Sequence, residues 1–134
     1  MVHIFIGSES DRVHLSAGLE FLRKNNLEFE VLVISCHREP EMLPEVISIL
    51  RNKNPRLVIA GAATATGLPG VIAGYLRKEK VVVLGVRFIA KPSAGIMEDA
   101  SFLLSSMPRG VPLTYCGFNE KGFLFACEIA VKIL

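Results

Sequence analysis

Tryptophan is absent from the 134 residues and tyrosine occurs only twice, so a flavin sandwiched between aromatic rings is not expected. Cysteine is scarce too. Cys36, Cys116 and Cys127 are odd in number and far apart, which makes neither a disulfide framework nor a zinc spacing. They read as small apolar residues in a reducing compartment. No apolar run approaches the ~20 residues needed to cross a bilayer. Met1–Gly7 lacks a basic flank and runs into a glycine turn, so it does not read as a signal peptide. Charge of one sign is missing as well. Fifteen Lys and Arg against 13 Asp and Glu leave +2, with no basic stripe of the kind nucleic acids require. Neither Gly-x-Gly-x-x-Gly nor the Gly-Lys-Ser/Thr of a P-loop occurs. Low-complexity tracts and internal repeats are absent.

What is present is a chain that is 51 % apolar and 21 % charged, the balance of one globular domain over residues 1–134 in the cytoplasm. A chain of this length buries roughly two-thirds of its unfolded surface. Short β-branched runs at His3–Ile6, Val31–Ile34, Leu57–Ala60 and Val81–Val86 have the length of buried strands. Helical stripes lie between them: Val13, Ala17 and Phe21 with Gly18 and Leu22, then Leu43, Val46, Ile47 and Leu50, then Leu68–Lys78. A fifth strand is expected over about Pro112–Gly117. A closing helix over Gly122–Leu134 carries Ala126, Ala130 and Ile133 on one face. Alternating strands and helices imply right-handed crossovers and a parallel sheet covered on both faces. The fold class is α/β, a three-layer sandwich of flavodoxin-like or Rossmann-like type.

Ligands of such sheets bind beyond the carboxyl ends of the strands, and the polar and small residues of this chain collect there. Gly7-Ser8-Glu9-Ser10-Asp11 reads either as a turn with Ser8 or Ser10 capping a helix, or as an anion site. In the second reading the Ser8 and Ser10 hydroxyls suit a phosphate and Asp11 accepts from ribose hydroxyls. Ser35-Cys36-His37-Arg38-Glu39-Pro40 is the most informative segment. Arg38 offers a planar cationic fork for phosphate. A histidine directly after a strand can give and take a proton within one cycle; the bland reading is a turn histidine beside a surface arginine. His3 and His14 read as structural. The Gly61–Gly70 loop, with Thr64 and Thr66, carries little side-chain chemistry, but its small residues admit close approach of a flat ligand. Arg87-Phe88-Ile89-Ala90-Lys91-Pro92 follows the fourth strand. A phospho-receiver domain is disfavoured, because it needs an aspartate where strand 3 here ends in Ala60-Gly61-Ala62.

Taken in order, these segments together with Leu68-Pro69-Gly70 and Met107-Pro108-Arg109-Gly110-Val111-Pro112 resemble the PurE family over essentially the whole chain. Its members are aminoimidazole ribonucleotide carboxylases and mutases of purine biosynthesis. The resemblance implies a homo-octameric α/β sandwich that needs no metal or organic cofactor and acts on an imidazole ribonucleotide with carbon dioxide or bicarbonate. It implies that His37 protonates the exocyclic nitrogen and later removes the C4 proton. Ser8, Ser35 and Arg38 are implied to hold the phosphate and nearby groups, and Asp11 the ribose. Gly61, Ala62 and Leu68 are implied to line the base and carbon dioxide pocket. The chain departs from the family pattern at Gly67, where mutases carry a histidine, at Arg87, where proline is usual, and in ending at Leu134. The alternatives are an offshoot acting on another phosphorylated heterocycle, and a non-catalytic nucleotide-binding module.

Overall fold

The computed structural model describes residues 1–63, 67–90 and 104–134. Five strands, β1 (Val2–Ile6), β2 (Phe29–Val33), β3 (Leu57–Ala62), β4 (Val82–Arg87) and β5 (Thr114–Phe118), form one sheet in the order β2-β1-β3-β4-β5. Every neighbouring pair is parallel. The β-branched runs form the central strands because a strand covered on both faces must be apolar along nearly all its length. β1 and β3 are buried along their whole length. Alternate residues then sort into two cores. Ile4, Ile6, Leu57 and Ile59 pack with Leu15, Leu22, Phe123 and Ala126 on one face of the sheet. Phe5, Val58 and Ala60 pack with Leu43, Ile47, Leu68 and Ile72 on the other.

The covering helices are α1 (Ser16–Lys24) and α4 (Asn119–Ile133) on the first face, and α2 (Leu43–Asn52) and α3 (Gly67–Tyr75) on the second. The three-layer parallel sandwich matches the sequence expectation. Among the described residues, no helix is long and apolar enough to cross a membrane.

The first helix differs from the expected stripe. Residues Glu9–His14 form a 3-10 segment that leaves Val13 67 % exposed. Of the expected stripe Gly18 and Leu22 are buried and Phe21 is half-buried, Ala17 is exposed, and Leu15 joins the buried face. The physical cause is the contact with α4: a Cβ on Gly18 would lie 2.5 Å from the Phe123 ring, so the helix turns its glycine face inward. β2 begins two residues before the expected run, because Val2 through Ile6 need partners from Phe29 onward. α3 starts at Gly67 and ends at Tyr75, short of the expected Lys78.

Candidate active site

Three loops meet where β1, β2 and β3 end. After β1 the chain turns toward β2, and after β2 it crosses to β3 on the other side of β1. This reversal of strand order opens a crevice at the carboxyl edge. The crevice is a cleft of about 280 Å³ lined by Gly7, Ser8 and Asp11 from the first loop. Ser35, Cys36, His37 and Arg38 enter from the second, and Ala62, Ala63, Gly67 and Leu68 from the third.

The first loop is held by reciprocal capping. Ser8 has extended backbone and its hydroxyl accepts from the Ser10 N–H, while the Ser8 N–H donates to Asp11 Oδ2 at 3.1 Å. Two donors that a helix start would leave unsatisfied are thereby paired. Asp11 is 4 % exposed, and burial raises its carboxyl above the ordinary aspartate value, partly offset by the Ser8 N–H, His14 and the Gly7 N–H. Ser8 Oγ lies 2.9 Å from Ser10 Oγ.

The second loop turns because Ser35 accepts twice: its hydroxyl from the Arg38 N–H at 3.1 Å, its carbonyl from the Glu39 N–H at 2.9 Å. The turn leaves His37 and Arg38 exposed at the cleft mouth. Burial raises the Cys36 thiol above its usual value, which keeps it protonated near neutral pH.

The third loop supplies walls without chemistry. Ala62 and Leu68 are buried, and α3 begins at Gly67 beside the His37 ring. Of the residues singled out in the sequence, Ser8, Asp11, Ser35, His37, Arg38, Ala62 and Leu68 line one cleft. Ser10 and Gly61 are not among its lining residues. Ser10 touches the cleft only through Ser8, and the Gly61 carbonyl accepts from the Gly7 N–H at 3.2 Å. A Cβ on Gly61 would lie 2.2 Å from the Phe88 ring, so its small size serves the packing of Phe88. Gly7, Cys36, Ala63 and Gly67 also line the cleft and were not singled out as binding residues. Only the position of Cys36 between Ser35 and His37 signalled it.

Arg87 ends β4 opposite Ala62 but is not a lining residue of the cleft. It sits half-buried beside Tyr115; burial lowers its guanidinium from the ordinary value and raises the Tyr115 phenol. The segment from Met107 to Pro112 is a turn closed by the Val111 N–H donating to the Pro108 carbonyl at 3.1 Å, with Gly110 at φ +86°. Met107 packs against Gly70 of α3. Thr64, Thr66, Lys91 and Pro92 lie outside the described residues. His3 is buried with Nδ1 2.8 Å from Glu30 Oε1, and His14 stacks on Phe88 at 5.2 Å, so both pack within the fold. An open depression of about 760 Å³ at the start of α4 contains Glu120, Lys121 and Glu128 with His14 and Cys116, and takes none of the cleft residues. Among the described residues, no three His, Cys, Asp or Glu side chains converge as a metal-binding set.

The chain is 32 % identical over 133 residues to the N5-carboxyaminoimidazole ribonucleotide mutase of Vibrio vulnificus, covering 99 % of this chain and 80 % of that protein. It is 34 % identical to the mutase of Methanocaldococcus jannaschii, covering 96 % and 78 %. It is 30 % identical to the phosphoribosylaminoimidazole carboxylase of Ogataea methanolica, covering 100 % of this chain and 23 % of that protein. The crystal structure of Treponema denticola PurE has the same fold, with a TM-score of 0.70 at 21 % identity, covering 98 % and 87 %. The family described as AIR carboxylase matches residues 1–134, and the chain belongs to that family.

Proposed function

We propose that this protein carboxylates C4 of an aminoimidazole ribonucleotide in purine biosynthesis, either directly or by shifting a carboxylate from the exocyclic nitrogen. The observation that carries this reading is the convergence of Ser8, Asp11, Ser35, His37 and Arg38 on one cleft at the sheet edge. Family membership supplies the substrate class. The protein works in the cytoplasm as a homo-oligomer.

In the shift, His37 donates its proton to the exocyclic nitrogen as the nitrogen–carboxylate bond breaks and carbon dioxide leaves. The electron pair of that bond stays on nitrogen, so the amine is regenerated. C4 then attacks the carbon dioxide, forming the new carbon–carbon bond, and His37 takes the C4 proton as the ring recovers aromaticity. One proton is lent and returned. Arg38 and the Ser8 and Ser35 hydroxyls hold the phosphate, with Ser10 behind Ser8, and Asp11 accepts from the ribose. Ala62 and Leu68 bound the side of the base and carbon dioxide, where buried apolar walls limit escape of the gas to water, and Gly61 stands behind them, its carbonyl holding the Gly7 N–H.

The test is carboxyl exchange on purified protein. Aminoimidazole ribonucleotide is incubated with labelled bicarbonate, and its N5-carboxy derivative is followed in parallel to the C4-carboxylated product. Turnover of the N5-carboxy compound alone assigns the shift, and label incorporation above the uncatalysed rate assigns direct carboxylation. His37→Asn is expected to abolish turnover while nucleotide binding persists. Undiminished turnover in that variant would sink the proton shuttle, and inactivity of the unsubstituted protein in both assays would sink the substrate assignment.

A further inference from the structure

The ring of His37 leans on a glycine. A Cβ built on Gly67 would lie 2.8 Å from His37 Nε2, 3.2 Å from Cε1 and 3.0 Å from Cys36 Sγ. Real Cβ atoms do not approach other heavy atoms at 2.8 Å, so a side chain at position 67 and the observed ring position exclude one another. Gly18, Gly61 and Gly122 also have neighbours this close, but those neighbours are core rings, a core thiol or backbone. Gly7 faces the cleft and meets Asp11 only at 4.0 Å, an ordinary contact. Gly67 alone among the described glycines makes such an approach to a polar side chain of the cleft.

Nothing else on the described residues pins the ring. The turn from Ser35 to Glu39 is anchored through backbone N–H groups, and no described group hydrogen-bonds the imidazole. Glycine is also a poor choice for the first turn of α3 on helix propensity, where alanine would be favoured. The position forgoes that gain.

We propose that Gly67 is a positioning residue for His37: the side chain it lacks leaves the place at the start of α3 that the imidazole fills. The ring edge bearing Nε2 is thereby held against the helix start and within the cleft, rather than turned toward solvent from an exposed loop. The inference rests on the proton-shuttle reading of His37 for its effect on rate, but not for its effect on the ring.

The experiment is Gly67→Ala. The clashing atoms are the ends of flexible side chains, so the variant is expected to fold with an unchanged or raised Tm, while the imidazole is displaced. The ring resonances of His37, assigned by NMR against His37→Asn, are expected to move. A displacement of the order of 1 Å in a proton-transfer group costs about 100-fold in kcat, with KM held within about 2-fold. Unmoved ring resonances overturn the inference, as does a kcat unchanged in Gly67→Ala while His37→Asn is inactive. Recovery of kcat in Gly67→Ala/Cys36→Ala also overturns it, by assigning the effect to the thiol. Should Gly67→Ala fail to fold, Gly67→Ala/His37→Ala decides: recovery to the stability of His37→Ala supports the inference, and continued unfolding overturns it. Should His37→Asn prove fully active, the shuttle fails by itself, and the NMR comparison still reports whether Gly67 places the ring.

Discussion

Ser8 and Asp11 satisfy each other across the first turn after β1. The Ser8 N–H donates to Asp11 Oδ2 at 3.1 Å, and the Ser8 hydroxyl accepts from the start of the same 3-10 segment. The exchange fixes a buried carboxylate at the floor of the cleft, where desolvation outweighs the hydrogen bonds it receives.

This has a consequence for stability against pH. Because the folded state raises the Asp11 carboxyl above its unfolded value of 3.8, the folded protein holds that proton more tightly than the unfolded chain. Its contribution to stability is greatest below the unfolded value and declines as pH rises through the raised one. Asp11→Asn keeps an acceptor for the Ser8 N–H and sheds the charge. Thermal unfolding is expected to show the variant more stable at pH 7, with the advantage vanishing as pH falls below 3.8. Parallel Tm curves for the two proteins would contradict the assignment.

Arg38 stands exposed at the cleft mouth, its backbone held by Ser35 and its guanidinium directed by no described ion pair. As the phosphate ligand it supplies a charge-assisted contact of about 1.5–3 kcal/mol, or roughly 10- to 150-fold in affinity. Arg38→Ala is expected to raise KM by that factor, with kcat little changed, and Arg38→Lys to recover only part of it. Steady-state kinetics check both. A loss confined to kcat would instead put the guanidinium at the reacting end of the substrate.

Two helical glycines separate packing from propensity. Gly74 in α3 has nothing within 4 Å of a Cβ, so Gly74→Ala is expected to stabilise the protein by up to about 1 kcal/mol. Gly18 in α1 would put its Cβ 2.5 Å from Phe123 and 2.8 Å from Cys127. Gly18→Ala gains the same propensity but must separate α1 from α4, and overpacking of this kind costs about 1–3 kcal/mol. Denaturant unfolding of the two variants is expected to give shifts of opposite sign.

The strands were legible because a parallel sheet covered on both faces demands near-continuous apolar runs, and His3–Ile6 and Leu57–Ala60 have little else to be. Helix faces were less so. Val13 and Ala17 share a helical spacing with Phe21 but lie exposed, while Gly18 and Leu22 beside them are buried, and the Phe123 ring against Gly18 shows which edge of the stripe turns inward. The cleft residues after β1 and β2 were readable because each follows directly on a strand end. Gly61 shows the opposite case. Its smallness is addressed to Phe88, a residue 27 positions away, and no local pattern announces that.

The sequence by itself determined the α/β alternation, the edge at which chemistry collects and the identity of the polar groups offered there. These follow from hydrophobic period and from the rule that loops at strand ends carry the site. The tertiary structure decided which groups share a cleft, that Asp11 is buried in it, and that the His37 ring rests on Gly67. Such facts depend on contacts between distant segments, where a few tenths of an ångström in packing determine whether a side chain fits, and no periodicity along the chain encodes that distance.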